Sequence, residues 1–227
     1  MEKLGGLPNG LPIELWPNCK VCGKAQSFLA QMQHHPDRLN LGRHGRVLFV
    51  FQCDHDPGMC ESWDIDAGAN ACLVIEPEKL SYIETAIPYD NPPVENSVDI
   101  IGWLTKEDGI SSKIRHAFFN EDQYDALDHN IIEKATFQTR MGGVPAWIQS
   151  PDEAPKPDWK FLGQLDSTYS FLTPPSSHEK WISEDKSNCV GRTHFGQGPN
   201  FGDMGIAYLF AKEENGITLV KMFWQCS

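Results

Sequence analysis

The chain has 227 residues, 40% of them hydrophobic and 11% aromatic, which is enough to build one large domain or two small ones around a substantial core. Its 31 acidic residues outnumber 19 Lys and Arg, which gives a formal net charge of −12. This charge argues against nucleic-acid binding, because contacts with phosphates require clustered Lys and Arg. The same charge suits a basic protein partner, although it also serves solubility alone.

The sequence predicts a cytoplasmic protein with no membrane contact. No stretch approaches the about 20 apolar residues that a membrane-spanning helix needs. The N-terminal MEKLGGLPNGLPIEL has neither the apolar core nor the cleavage site of a secretory signal. In a reducing cytosol the seven cysteines are expected to be thiols, and a Cys-x2-Cys pair there indicates metal binding or catalysis more often than a disulfide.

Four features follow one another in the first third of the chain. They are GG-x-P at 5–8, the apolar run SFLAQM at 27–32, and the runs RVLFVFQC at 46–53 and ACLVI at 71–75. The last two are rich in β-branched and aromatic residues and predict strands. SFLAQM is too short for its periodicity to distinguish a strand from a helical turn.

The same four features return in the same order near the C-terminus. They are MGGVP at 141–145, KFLGQL at 160–165, GIAYLF at 205–210 and ITLVKMFW at 217–224, the last two separated by an Asn-Gly hairpin signal. Chance similarity is the alternative, since GG-x-P alone is common in loops. The ordered matches favour an internal duplication. We therefore expect a β-rich α+β fold with two pseudo-repeated halves that share a GG-x-P … FL-x-Q motif.

Between the halves, VDIIGWL at 98–104 predicts a further strand. Residues 122–135 predict a helix, with Asn120 or Asp122 near its N-cap. These features divide the chain into a first half at 1–80, a connecting segment at 81–140 and a second half at 141–227. We expect the three parts to form one compact unit.

The cysteines are the strongest chemical signal in the sequence. Cys19 and Cys22 form a Cys-x2-Cys pair followed by glycine, a spacing typical of a tight turn whose two thiolates reach one metal ion. Cys53 ends a predicted strand, and Cys60 follows after the loop DHDPGM. Together the two pairs predict a four-cysteine structural zinc site in the first half. The second interval is longer than usual, and His55 is an alternative ligand to Cys60.

Two other interpretations of these thiols remain open. A redox Cys-x2-Cys is expected at the start of a helix within a βαβ unit, and no such pattern surrounds Cys19 and Cys22. The thiols could also be unpaired and free of metal. Four thiolate ligands leave no open position, so a zinc ion there would stabilise the fold and not activate water. The remaining cysteines are expected to act as small buried apolar residues: Cys72, Cys189 and Cys226.

Other candidate sites carry weaker signals. The glycine-rich run 195–205 lacks the Lys-Ser/Thr of a phosphate-binding loop and leads into a strand, and no GxSxG or HExxH motif is present. Aromatic residues of the second half, if exposed, would line a groove for a peptide, although core packing is the usual role of such residues. The candidate binding residues are Trp147, Trp159, Asp166 and Asp203, and the further aromatics of this region are Tyr169 and Trp181.

These motifs together resemble the YwqG-like family of uncharacterised bacterial proteins. The resemblance spans nearly the whole chain and rests on GG-x-P, WPNCKVCGKAQSFLAQ at 16–31, LFVF before Cys53, GGVPAW at 142–147, FLGQLDS at 161–167 and GDMG at 202–205. The first half is also distantly similar to the eukaryotic programmed-cell-death-protein-two family. The first family implies a duplicated β-rich fold without an established activity. The second implies a chaperone for a basic ribosomal protein.

Two functions are consistent with the sequence. The first is a non-enzymatic, zinc-stabilised module that binds a basic protein, as a chaperone or an immunity-type protein does. The second is a hydrolase-like enzyme that uses Asp166, His194 or Asp203 in a cleft between the two halves. It requires those side chains to converge within hydrogen-bonding distance.

Overall fold

The computed structural model describes residues 2–155, 158–171, 183–185 and 193–227. The described part is β-rich and contains few helices, as predicted, and its strands form three sheets. The helical part includes four short 3₁₀ helices, which lie at Ile13–Leu15, Pro77–Lys79, Arg115–Phe119 and Pro151–Glu153.

A five-stranded sheet contains every predicted strand of the first half. Its strands are β1 (Glu2–Leu4), β2 (Ser27–Gln33), β3 (Val47–Gln52), β4 (Asn70–Ile75) and β5 (Val98–Ile100). Their order is β4-β3-β2-β1-β5, and all neighbours are antiparallel. The ambiguous run SFLAQM is therefore a strand, and it is buried on both faces because Leu29, Ala30 and Met32 pack in one hydrophobic cluster and Phe28 packs in another.

The remaining strands form two sheets. They are β6 (Arg140–Met141), β7 (Lys160–Asp166), β8 (Thr168–Phe171), β9 (Ser183–Asp185), β10 (Thr193–Gln197), β11 (Ile206–Glu214) and β12 (Ile217–Gln225). One sheet has the order β12-β11-β7-β6, and the other has the order β8-β10-β9. Asn215 and Gly216 both have positive φ and join β11 to β12, which confirms the predicted hairpin.

The GG-x-P and FL-x-Q segments have the same local geometry in both larger sheets. Lys3 of β1 pairs with Gln31 of β2, and Arg140 of β6 pairs with Gln164 of β7. The pairing of β2 with β3 skips Leu29, and the pairing of β7 with β11 skips Leu162. Each skipped leucine accepts a hydrogen bond through its carbonyl from the first glycine of the GG pair, at 2.8 Å and 2.7 Å. Each sheet therefore has a bulge at the leucine of FL-x-Q.

The glutamine of FL-x-Q fixes the GG-x-P turn in each sheet. Gln31 Oε1 accepts the backbone N–H of Asn9 at 2.7 Å, and Gln164 Oε1 accepts that of Ala146 at 3.0 Å. Asn9 and Ala146 each directly follow the proline of the motif. Both glycines of each pair have positive φ, which side chains with a Cβ rarely adopt, so the motif needs glycine there.

We expect Gln164→Ala to lower the free energy of unfolding by about 1–3 kcal/mol, because it leaves one buried and two partly buried backbone groups without this side-chain partner. Besides accepting from Ala146, Gln164 donates through Nε2 to the carbonyls of Thr136 and Gln138, both at 3.1 Å. Chemical denaturation measures the change. The exposed Gln123→Ala is the matched control and should change the stability by less than about 0.5 kcal/mol. Equal effects of the two substitutions would contradict the assigned role of Gln164.

One hydrophobic core joins the two larger sheets. It contains side chains from both of them, among which are Leu29, Met32, Val50, Leu165, Leu209 and Met222. The two sheets also meet at the outer strands β4 and β12, where Asn70 Nδ2 donates to the carbonyl of Met222 at 3.4 Å. Separate aromatic clusters cover the other faces, around Phe51 in the first sheet and around Phe210 in the second.

The connecting segment departs from its predicted helix. In place of one helix at 122–135 there are two short ones, α1 (Glu121–Asp125) and α2 (His129–Ile132). Asn120 Oδ1 accepts from the N–H of Gln123, as an N-cap does, and Asp128 Oδ1 accepts from Asn130 in the same way. Because Asp128 caps a new helix start, it interrupts the expected helix. The predicted strand at 98–104 is also shorter, since it ends at Ile100.

Candidate metal centre

The sulfur atoms of Cys19, Cys22, Cys53 and Cys60 all lie within 4.8 Å of one another. Cys22 Sγ and Cys53 Sγ are 3.6 Å apart, close to the about 3.8 Å that tetrahedral bonds of about 2.3 Å to one ion would impose. The separation is far from the about 2 Å of a disulfide, and all four cysteines are free. The four thiols can therefore hold a metal ion. Among the described residues they are the one group of three or more His, Cys, Asp or Glu side chains with this convergence.

A tight hairpin presents the first pair. The N–H of Cys19 donates to the carbonyl of Lys24 at 2.8 Å, and the N–H of Gly23 donates to the carbonyl of Cys19 at 2.9 Å. Gly23 has a φ of +76°, so the chain can reverse directly behind Cys22. Burial disfavours the charged Cys22 thiolate, but the backbone N–H of Lys24 and the neighbouring sulfurs outweigh it and lower the pKa of Cys22. The hairpin thus favours a thiolate at Cys22.

The second pair comes from the connection between β3 and β4. Cys53 directly follows β3, and its N–H donates to the carbonyl of Ala69 at 2.7 Å. The loop then turns back, since the N–H of Cys60 donates to the carbonyl of Asp56 at 2.9 Å. This turn brings Cys60 to the cluster despite the long interval between the two cysteines.

Both pairs offer backbone N–H groups to sulfur. Burial raises the pKa of Cys53 to about 11, although the N–H groups of His55 and Asp56 act in the opposite direction. Burial likewise raises the pKa of Cys60. A metal ion must therefore displace protons from these buried thiols. Its affinity is expected to fall as the pH is lowered.

His55 does not belong to the sulfur cluster. Its Nε2 atom lies 3.1 Å from the carbonyl oxygen of Ala25, directly after the first hairpin. The ring therefore connects the two cysteine loops to each other, and Cys60 occupies the fourth position. Such supporting contacts orient the ligands of metal sites.

The cysteine loop also contacts the second half of the chain, which the sequence did not predict. Gln52 Nε2, at the end of β3, donates to the carbonyl of Asn200 at 2.7 Å, and the N–H of Trp224 donates to the carbonyl of Trp63 in the loop at 3.4 Å. The ring of Trp63 packs edge-on against Trp224, with 6.1 Å between centroids. The site therefore lies where the two larger sheets meet.

The candidate binding residues do not form one surface. Trp147 was expected to line a groove, but it is 5% exposed, so that expectation is corrected. Its indole Nε1 donates to the carbonyl of Phe118 at 2.6 Å, and its ring stacks against Phe210. Trp159 is half-buried, with Lys221 Nζ 5.4 Å from the centre of its ring. Trp181 and Cys189 lie outside the described residues.

The two aspartates of the predicted hydrolase cleft have different hydrogen-bond partners. Asp203 is exposed, and its backbone carbonyl accepts the N–H of Ser227 at 3.2 Å. Asp166 Oδ1 accepts the N–H of Thr168 at 2.9 Å. No hydrogen bond or ion pair links Asp166 to Asp203 within the ranges that the structure describes, and the side chain of His194 lies outside them. These positions give no support for a shared catalytic site.

Asp166 predicts a pH-dependent stability. Burial raises its pKa to about 6, so the protonated form contributes stability below the unfolded-state pKa, and this stability is lost as the pH rises through about 6. Asp166→Asn should therefore raise the free energy of unfolding at pH 8 by about 1 kcal/mol, a value reduced for the partial exposure of the side chain. At pH 4 the change should be much smaller. Thermal melts at the two pH values test this, and equal effects would contradict it.

Comparisons of the chain with family models, with curated proteins and with solved structures find no match. Within the described part of the chain, no helix has the length and apolar character needed to cross a membrane.

Proposed function

We propose that this chain is a non-enzymatic, zinc-stabilised protein-binding module of the cytoplasm whose partner is a basic protein. The observation that carries the proposal is the closed set of four thiols at the meeting point of the two larger sheets. With four protein ligands, a bound ion has no position left for water or substrate. Such an ion stabilises the fold instead of catalysing a reaction.

Zinc is the ion that suits this ligand set best. Soft thiolates in a tetrahedral arrangement select zinc or iron, and zinc needs no further ligand or redox partner there. The ion would connect the hairpin at Cys19 and Cys22 to the loop at Cys53 and Cys60. Oxygen-binding ions such as Mg²⁺ are disfavoured, because no carboxylate takes part in the cluster.

The charge of the chain supports a basic partner. With a net charge of −12, the protein attracts a cationic surface and repels phosphate backbones. The resemblance of the first half to the programmed-cell-death-protein-two family agrees with this partner. The resemblance to the YwqG-like family agrees with the fold.

We also propose that the two larger sheets are copies of one ancestral unit. Three shared details support this: the strand order, the bulge at the leucine of FL-x-Q, and the glutamine that binds the residue after GG-x-P. The metal site would then be an addition to the first copy. In the second copy, the Asn215-Gly216 hairpin stands in place of the cysteine loop.

The proposed function is tested by identifying the partner and reconstituting the complex. Zinc-loaded protein is used as bait in low salt, captured proteins are identified by mass spectrometry, and each is purified and titrated against the chain. We expect a partner with a high isoelectric point whose affinity falls at least about tenfold between low and physiological salt. If every direct partner is acidic or insensitive to salt, the proposal is wrong.

A further inference from the structure

Exposed apolar side chains surround the metal centre. Met59 is 76% exposed, Val21 54% and Trp63 42%. Val21 and Met59 directly precede Cys22 and Cys60, whose sulfurs lie within 4.8 Å of each other, so the two side chains extend from adjacent points of the site. Grouped apolar residues on a surface indicate an interaction site more often than scattered ones do.

Carboxylates flank these apolar residues. Asp56, Glu61 and Asp64 are all exposed, and none of them forms an ion pair with a described residue. Residues 54–66 contain no Lys or Arg. Nearby cations come from the first hairpin, which carries Lys20 and Lys24, and from Lys221, which pairs with Asp66 at 2.5 Å. The loop itself is therefore a strongly negative surface.

The proposed zinc ion would increase the negative potential. Four thiolates carry four negative charges, and one divalent ion neutralises two of them. The loaded site therefore bears a net charge of about −2. Cys22 is exposed, so part of this charge would lie at the surface. A cationic partner would gain from both the loop carboxylates and the metal centre.

The loop is anchored on both sides of its exposed residues. Cys53 and Cys60 hold it at the sulfur cluster, and Ser62 is fully buried with its carbonyl bonded to Asn70. The ring of Trp63 packs edge-on against the ring of Trp224, and part of the Trp63 indole remains exposed to solvent. A surface ordered before binding loses little conformational entropy on association.

We propose that the metal-loop face, defined as Val21, Asp56, Met59, Glu61, Trp63 and Asp64, docks an arginine-rich segment that also carries apolar side chains. Arginine can pair with the carboxylates and stack on the indole of Trp63, while an apolar side chain contacts Met59. The inference rests on the proposed function and names the surface that would perform it.

The probe for this test is a synthetic peptide that alternates arginine with leucine. Its affinity for the full-length zinc-loaded protein is measured by fluorescence anisotropy at about 0.1 M salt, where the Debye length is about 10 Å. Asp56→Lys combined with Glu61→Lys should weaken binding by at least about tenfold, because two attractive contacts become repulsive. Met59→Ser should weaken it by about threefold to tenfold through the loss of apolar burial.

A charge-matched control separates this surface from the overall charge. Asp99→Lys combined with Glu107→Lys changes the net charge equally, and both residues are exposed. Asp99 lies in β5, at the opposite edge of the sheet from β4, and Glu107 lies in the connecting segment that follows. This control should bind within about twofold of the unchanged protein, since most charge effects are local at moderate salt. The zinc content and melting temperature of each variant establish that the fold is intact.

Equal weakening by both double variants, or no binding of the peptide by the unchanged protein, would overturn the inference. These outcomes are distinguishable from failure of the proposed function. If a purified basic partner binds the unchanged protein and the Asp56→Lys/Glu61→Lys variant equally well, the partner docks elsewhere and only the metal-loop face is wrong.

Discussion

Replacing Cys53 with serine should release the bound metal and lower the melting temperature by about 8–16 °C. The serine hydroxyl is a poor zinc ligand, and metal binding at such a site is coupled to folding. A loss of about 4 kcal/mol corresponds to this temperature range for a chain of this length. Metal analysis of freshly purified protein and a thermal melt, both under reducing conditions, measure the two effects. Cys19→Ser should act in the same way.

The matched control for this prediction is Cys226→Ser. Cys226 is a partly buried free cysteine outside the cluster, so its replacement should retain the metal and change the melting temperature by only a few degrees. Unchanged protein that contains no zinc would contradict the proposed cofactor. Full metal content in the Cys53→Ser variant would show that Cys53 is not a ligand.

The sequence indicated the four converging cysteines because their spacing reflects local geometry. A Cys-x2-Cys pair followed by glycine needs only one tight turn, and the hydrogen bonds of Cys19 and Gly23 form that turn. Cys60 was harder to assign, since its interval from Cys53 exceeds the usual spacing. The turn between Asp56 and Cys60 closes this interval. The Pro57-Gly58 pair predicts a turn there, but it does not predict that the turn brings Cys60 to the other sulfurs.

Long-range packing accounts for one expectation that proved wrong, and a local helix cap accounts for another. Trp147 has the sequence surroundings of a loop aromatic, but its indole donates to a carbonyl 29 residues earlier in the chain. The helix expected at 122–135 had suitable composition, yet the Asp128 side chain caps a second helix start within it. The strands were predictable because runs of β-branched and aromatic residues are typical of buried strands. Contacts between the two halves depend on the whole fold.

The difference between the two larger sheets explains why one of them would use a metal. A two-residue hairpin joins β11 to β12, whereas the loop 53–69 joins β3 to β4. A longer loop costs more conformational entropy to close and buries few apolar side chains of its own. In the first sheet, the metal ion would offset the entropy cost of closing the loop 53–69. The second sheet has a tight hairpin at this place and needs no such compensation.

Chelation of the metal should therefore loosen the two cysteine loops selectively. We expect amide hydrogen exchange to accelerate by at least about a hundredfold at 17–25 and 53–69, since exchange rates follow the local opening free energy and about 2.7 kcal/mol suffices for that factor. Besides the sulfur cluster, the contacts that hold these loops include the hydrogen bonds from the N–H of Cys53 to the carbonyl of Ala69 and from the N–H of Lys20 to the carbonyl of Gly68. Mass spectrometry of peptides from both loops reports the change.

The amides of β11 provide the internal control. This strand is paired with β12 on one side and with β7 on the other, and none of its described hydrogen bonds reaches a cysteine loop, so its exchange should change by less than about threefold. Uniform acceleration across both larger sheets would mean that the ion stabilises the whole cooperative unit and not the first half alone. No acceleration in either loop would mean that the loops hold their conformation without metal, and the site would then have a role other than stabilisation.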